Sequence, residues 1–483
     1  MGSTIKEQLW YGDRWIDVDL PDRTRVITAN GQSSSNKPIQ DLEGAVREAI
    51  ANPIAHDPIP KLVGKGAKVT IAFDDPGGVQ TRGVDFRQVA ISVLLEELQK
   101  AGVELSDILL LCANALHRKW TRSELAPIVG ERISVLWPAQ RLRCHDAENP
   151  DELIFLGETH RGFEVEVNRA ITDSDLFIYL NLTQIPFSGG WKSIAVGLGT
   201  FRSIRHHHRP FPFASGKSVM DPKISSFHKL VWEQGAVIEK HLAEKGRRVF
   251  SIESVVTATE PAEVTAVFAG HTPDVHVHTL DALSSLQVLE VDGQSDIGLY
   301  GVTSKTSYAH NSFINPLLVT DQGFEYTYSM FQNRPLVRPG GIVILSHPCK
   351  NQFDDIHHPS YREFYERLLP ITLDPYELWN LFSDDFAHRP EYIHKYRYGY
   401  GFHGAHPFFM WNTRGAPSRH LSGMFLAGAT DFDVARRLGF EPFATVEDAV
   451  AEAEDRLGKD ASISFHKMPP TSIARVNGAN GAP

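Results

Sequence analysis

Residues 5–30, through L-W-Y-G-D-R-W-I-D-V-D-L-P, alternate apolar and polar positions, which predicts an antiparallel hairpin around Gly12-Asp13. The period then lengthens: Leu42, Ala45, Val46 and Ile50 fall on one face of a helix over Asp41–Ala51. Ala67–Phe73 (A-K-V-T-I-A-F) reads as a strand. Phe86, Val89, Ala90, Val93, Leu94 and Leu98 follow at helical spacing, Gly102 closes that helix, and Ile108–Cys112 is the next strand. Such a strand–helix–strand unit predicts parallel pairing, with ligands at the strand ends. The run Leu176–Leu180 is a short buried strand, Ser225–Leu242 a helix, and Val249–Thr257 and Glu263–Ala269 strands. A second region opens at Gln287–Val291 and continues through Gly298–Val302. In it a helix runs from Asn315 through Glu325, Tyr328 and Arg334, and Pro339-Gly340-Gly341 launches the strand Ile342–Ser346. Tyr361–Leu369 and Thr445–Leu457 complete the helices. The pattern predicts two α/β domains with mostly parallel sheets, residues 1–283 and 284–470, and a disordered tail over 471–483.

Composition narrows the class. At 483 residues the chain exceeds one ordinary core, and 42% hydrophobic with 22% charged residues suits a soluble globular protein. A net charge of −11 disfavours a nucleic-acid or acidic-membrane surface. Cys112, Cys144 and Cys349 are widely spaced, and neither a signal-peptide core nor a membrane-length apolar run is present, so a cytoplasmic location is expected. The 22 histidines are the unusual count, clustered at 206–208, 271–278, 347–358 and 388–406.

Candidate chemistry concentrates in Ile185–Pro210 (I-P-F-S-G-G-W-K-S-I-A-V-G-L-G-T-F-R-S-I-R-H-H-H-R-P). A Gly-Gly pair lets backbone amides approach a ligand, and a helix starting there aims its positive end at an anion. A lysine binds phosphate or, once desolvated, acts as a nucleophile; histidine is the commonest metal ligand. Two strand-end loops add Asp74 with Thr81-Arg82, and His117 within C-A-N-A-L-H-R-K-W-T. Thr121-Arg122-Ser123-Glu124 has the capping-box pattern, which offers His117 a purely structural setting. His117, His206 and His208 could also hold zinc in a hydrolase or lyase, and the chain could be a metabolite-binding protein without activity.

The order of F-S-G-G-W-K-S-I and a histidine sixteen residues beyond the lysine resembles the nickel-pincer nucleotide-dependent lactate racemase family over roughly residues 35–350. That resemblance implies cofactor and substrate in a cleft between the domains. The cofactor is pyridinium-3-thioamide-5-thiocarboxylic acid mononucleotide with nickel, supplied by cofactor-synthesis enzymes. It implies attachment at Lys192, nickel at His208 and cofactor contacts from Asp74, Thr81, Ser188, Gly189 and Gly190. The G-T-H-R-like loop gives His117 the acid–base role, and Arg82 the role of anion clamp. Two departures matter. The family's E-P-H histidine is missing from Leu182–Pro186, where Gln184 stands, and the lysine of its Q-x-x-K pair is missing from a helix offering Glu325 and Tyr328 instead. Gln184 carries no proton near neutral pH. A racemase or epimerase acting on a hydroxy acid, sugar acid or sugar is therefore expected, with His206, His310 or Tyr328 as the second base, or else an inactive cofactor-binding homologue.

Overall fold

The computed structural model describes residues 3–29, 37–77, 81–259 and 261–478. Residues 78–80 of the loop between Asp74 and Arg82, and the end of the tail at 479–483, lie outside the described residues.

The first sheet has six strands in the order Val264–His271, Phe250–Val256, Leu176–Thr183, Val69–Asp74, Ile108–Ala113, Leu142–Cys144. Its neighbours run parallel except the Val264–His271 edge, which pairs antiparallel. Leu176–Thr183 is buried at every position, as expected of a central strand covered on both faces. On one face the helix Phe86–Lys100 buries Phe86, Ala90, Val93, Leu94 and Leu98, and Asp85 caps it by accepting from the Arg87 N–H.

The second sheet has eight strands. Its main path is Glu441–Phe443, Gly423–Ala427, Val337–Ser346, Ser295–Thr303, Thr4–Gly12 and Arg14–Pro21. Ile463–His466 also pairs with Ser295–Thr303, and Arg25–Ile27 lies beyond it. The N-terminal alternation does make a hairpin, paired from Thr4↔Pro21 to Tyr11↔Arg14. It belongs to this sheet, however, with Tyr11 and Gly12 paired to Val302 and Thr303. The placement of these first strands in an N-terminal domain is corrected: Leu9, Val18 and Leu20 share a core with Ile297, Leu299 and Ile344.

Two further expectations change. The tail is ordered as far as Asn477, because Ile473–Asn477 is the middle strand of a parallel sheet with Val288–Asp292 and Phe331–Gln332 and buries Ile473, Ala474 and Val476. The helix expected to reach Arg334 runs only over Pro316–Gly323, capped by Asn315. It widens into a π turn at Phe324–Tyr328, where the Ser329 N–H donates to the Phe324 carbonyl at 2.9 Å. Between residues 375 and 412, where no element was assigned from the sequence, stand three helices, Pro375–His388, Pro390–Tyr398 and His406–Asn412, and the last reaches the cleft described next through Phe409 and Met410.

Candidate active site

The carboxyl ends of both sheets meet at a cleft of about 320 Å³. Asp74 ends one strand, His117 lies on the loop after Ile108–Ala113, and Gln184 follows Leu176–Thr183. From the second sheet come Gly301 and Thr303. Convergence of loops at strand ends is what a parallel sheet offers a ligand.

The stretch 188–208 folds as two short helices, Gly190–Gly197 and Phe201–His208. Ser188, Lys192 and Ser193 line the cleft. Gly189 and Gly190 have φ of 95° and 55°, and a Cβ on Gly190 would lie 2.7 Å from His276, so the turn demands glycine. The amides do not serve the cleft as expected. The Gly190 N–H donates at 2.6 Å to Glu253, whose other carboxylate oxygen is 3.0 Å from His276 Nδ1, and the Gly189 N–H donates to Ser193 Oγ. The anion at this helix start is thus the protein's own buried carboxylate.

Lys192 is free to serve the cleft. Among the described residues its amine makes no hydrogen bond or ion pair, and it stands 4.8 Å from the centre of the Phe187 ring. Desolvation lowers its pKa against the opposing pull of Asp74 and Asp75, which favours the nucleophilic amine. Burial pushes Asp74 up to about 6, although Arg87, the Tyr179 hydroxyl (2.8 Å), the Leu182 N–H (3.1 Å) and Lys192 all oppose it.

Successive helical residues point about 100° apart, and the three histidines separate accordingly. His206 stacks on Phe163 and bonds Glu164 at 2.5 Å. His207 is buried, and its Nδ1 meets His208 Nδ1 at 2.8 Å. His208 alone of the three lines the cleft. Burial, then the neighbouring His207, Lys192 and His117, hold its pKa well below the usual value, so its imidazole is neutral. A zinc site of His117, His206 and His208 is not assembled, and among the described residues no group of three or more His, Cys, Asp or Glu is set to hold a metal.

His117 is oriented by Asp75, which the sequence reading had passed over: Nδ1 and Oδ2 are 2.8 Å apart, and the Trp120 indole N–H donates to the same oxygen at 3.3 Å. Asp75 is buried, which alone would raise its pKa, but the charge and hydrogen bond of His117, the Trp120 bond and Arg87 outweigh burial and hold it low. Arg87 also fixes the loop by donating to the Asp74 and Asp75 carbonyls. The Thr121–Glu124 capping box forms without His117, which leaves the imidazole to the cleft, edge-on to Tyr308 at 5.4 Å.

Other expected residues lie elsewhere. Arg82 is mostly exposed and pairs with Glu263, while Thr81 bridges to Ala262; neither lines the cleft. Tyr328 packs on Tyr300, Phe324 and Phe331 and reaches a separate small cavity. The other suggested second bases, His206 and His310, are absent from the cleft wall as well, His310 standing 5.3 Å from Trp120. On the second domain's wall the π turn presents Glu325, but its partner in the cleft is Gln322, with Asp321, Tyr308 and Tyr326. The pattern Gln322-Gly323-Phe324-Glu325 is thus a Q-x-x-E, one step before the pair inferred from sequence.

The wall fits a covalently held, metal-bearing group: an unpaired lysine amine and one neutral imidazole share it. Residues 11–220 match the lactate racemase N-terminal domain. A lactate racemase of Thermoanaerobacterium thermosaccharolyticum is 22% identical over 351 residues, 70% of this chain and 73% of that protein. That of Lactiplantibacillus plantarum is 24% identical over 299 residues, 57% of this chain and 65% of that one. The fold is shared with the lactate racemase apoprotein of the Thermoanaerobacterium species, at TM-score 0.67 and 17% identity over 98% of this chain and 100% of that one. A Thermotoga maritima protein also shares it, at TM-score 0.58 and 16% identity over 92% of this chain and all of its own. The matched domain contains Lys192, His208 and His117; over it the chain is similar to lactate racemases, and its fold is that of a lactate racemase apoprotein.

Proposed function

We propose that the protein is a racemase or epimerase that inverts a carbinol carbon of a hydroxy acid, sugar acid or sugar, with a nickel-pincer nucleotide held by Lys192 and His208. The observation that carries this reading is an unpaired, desolvated Lys192 amine and a neutral His208 imidazole in the same cleft as an Asp75-oriented His117. When bound, the cofactor supplies a site that accepts a hydride from the carbinol carbon and returns it to either face.

The chain's own residues do the rest. With Nδ1 committed to Asp75, His117 keeps Nε2 for the substrate hydroxyl. It takes that proton as the carbinol C–H bond gives up its hydride, and gives the proton back to the oxygen when the hydride returns. Asp75 stabilises the imidazolium formed in between. Gln184 orients a hydroxyl without exchanging protons. The apolar side chains of Phe213, Phe409 and Met410 keep water from the site.

The test is the full chain produced with the cofactor-synthesis enzymes. The Lys192 peptide should carry the adduct mass, Lys192→Ala should lack it, and His208→Ala should lose nickel while His207→Ala keeps it. The hydride never exchanges with solvent, so inversion in deuterium oxide should leave the inverted carbon unlabelled. An adduct on another peptide, no adduct under loading conditions, or deuterium at that carbon would overturn the reading.

A further inference from the structure

Asp321 and Glu325 are one helical turn apart on the second domain's wall and both face the cleft. Their side chains are buried, at 1% and 4% exposure, yet Asp321 Oδ2 and Glu325 Oε1 have no hydrogen-bond partner among the described residues. A buried polar atom without a partner is costly, and one aimed into a cleft marks a position that a ligand completes. Beside them the Tyr308 and Tyr326 hydroxyls lie 3.0 Å apart, and the Tyr308 ring connects this wall to His117. Burial raises Glu325 to about 8; burial, then Glu325, raises Asp321. Glu325 is thus protonated at neutral pH, and a protonated carboxyl both donates and accepts, as a hydroxyl does.

We propose that Asp321, Gln322 and Glu325, with the Tyr308–Tyr326 hydroxyl pair, form a subsite that binds hydroxyl groups of an uncharged polyol, a sugar or sugar alcohol, and rejects a carboxylate. This rests on the proposed epimerase reading of the cleft and narrows its substrate to the neutral class. A carboxylate placed between Asp321 and Glu325 would be buried against two acidic side chains, and the helix and π turn over 316–328 that carry them contain no lysine or arginine. Of the cleft's cations, Lys192 is on the opposite domain, and Lys305 stands on the neighbouring loop with its amine 6.0 Å from the centre of the Trp10 ring. A polyol meets each demand of the wall with a neutral donor or acceptor.

The experiment needs no cofactor. Saturation-transfer NMR on the unloaded full chain compares millimolar aldohexoses and hexitols with the hexonates of the same carbon skeletons and with lactate. Neutral members should bind, and hexonates at least about tenfold more weakly. Glu325→Gln, which keeps a donor and an acceptor, should retain sugar binding. Glu325→Leu should weaken it about tenfold, and Glu325→Lys should turn the preference towards hexonates, with circular dichroism confirming the fold of each. Should the leucine or lysine variant fail to fold, the wild-type preference and the glutamine variant decide the matter. Hexonates binding as well as sugars, sugars unaffected by a folded leucine variant, or no binding of any neutral polyol would each overturn the proposal. Failure of the cofactor reading is separate: it would show as a missing Lys192 adduct while sugar binding persisted.

Discussion

In the proposed mechanism His117 draws its chemistry from Asp75, 42 residues earlier in the chain. The Asp75 carboxylate and the imidazole Nδ1 fix ring and tautomer together, while Trp120 and Arg87 hold Asp75 from behind. Replacing Asp75 by asparagine keeps the shape and removes the charge that steadies the imidazolium. Turnover by the loaded enzyme should fall about 100-fold, and His117→Ala should cost about a thousandfold. KM and the Lys192 adduct should survive both changes, and this pattern, read from steady-state kinetics beside intact-protein mass, separates positioning from a collapsed site. An asparagine variant at wild-type kcat would remove Asp75 from the mechanism. Residues of this kind are hard to read in a sequence. His117 is marked by a motif, whereas Asp75 is one of two adjacent aspartates at a strand end, and only its direction distinguishes it from Asp74.

At the scale of elements, the Gly189-Gly190 turn shows what sequence periodicity and motif can and cannot reveal. The strand Leu176–Thr183, the turn and the helix carrying Lys192 follow from apolar run, glycines and spacing. The destination of the turn's amides does not, because Glu253 reaches Gly190 from a strand more than sixty residues on. The same limit applies to the N-terminal hairpin, legible as a hairpin but not in its choice of sheet. It applies to the π turn too, where one extra residue shifts which side chains of 321–328 enter the cleft. Glu253 is buried between the helix start and His276, so Glu253→Ala would leave a backbone N–H and an imidazole nitrogen unpaired. The expected cost is about 3 kcal/mol, seen as a lower urea midpoint at unchanged m-value. Gly190→Ala, forced to φ 55° against His276, should lose about 2 kcal/mol or more. Loss of cofactor attachment in either variant with stability intact would instead return these groups to the ligand.

Across the whole molecule the two sheets share one cleft, and the many histidines act chiefly as packed, neutral side chains. Burial lowers His228 and His347 to about 3 and His145, His358 and His466 to about 4, against about 6.5 when unfolded. Between those values the unfolded chain binds protons that the folded chain refuses. Each such histidine therefore removes up to about 1.4 kcal/mol per unit as pH falls below about 6.5. The cleft carboxyls act in the opposite sense. Glu325, raised to about 8, stays protonated through neutral pH when folded but ionises near 4 when unfolded, and burial and Glu325 raise Asp321 in the same direction. Their contribution is complete below that value and disappears as pH rises through the folded pKa. Below about 6.5 five histidines outweigh these two groups. Above it the histidines are neutral in both states and the raised carboxyls give the slope its falling sign. Thermal unfolding at constant ionic strength should therefore show a maximum near pH 6.5, a steep acid arm and a gentler alkaline arm ending near pH 8. Glu325→Gln cannot ionise, so it should flatten much of the alkaline arm and leave the acid arm in place. A wild-type Tm that climbs through pH 8, or an alkaline arm indifferent to that substitution, would show that Glu325 is already ionised in the folded protein.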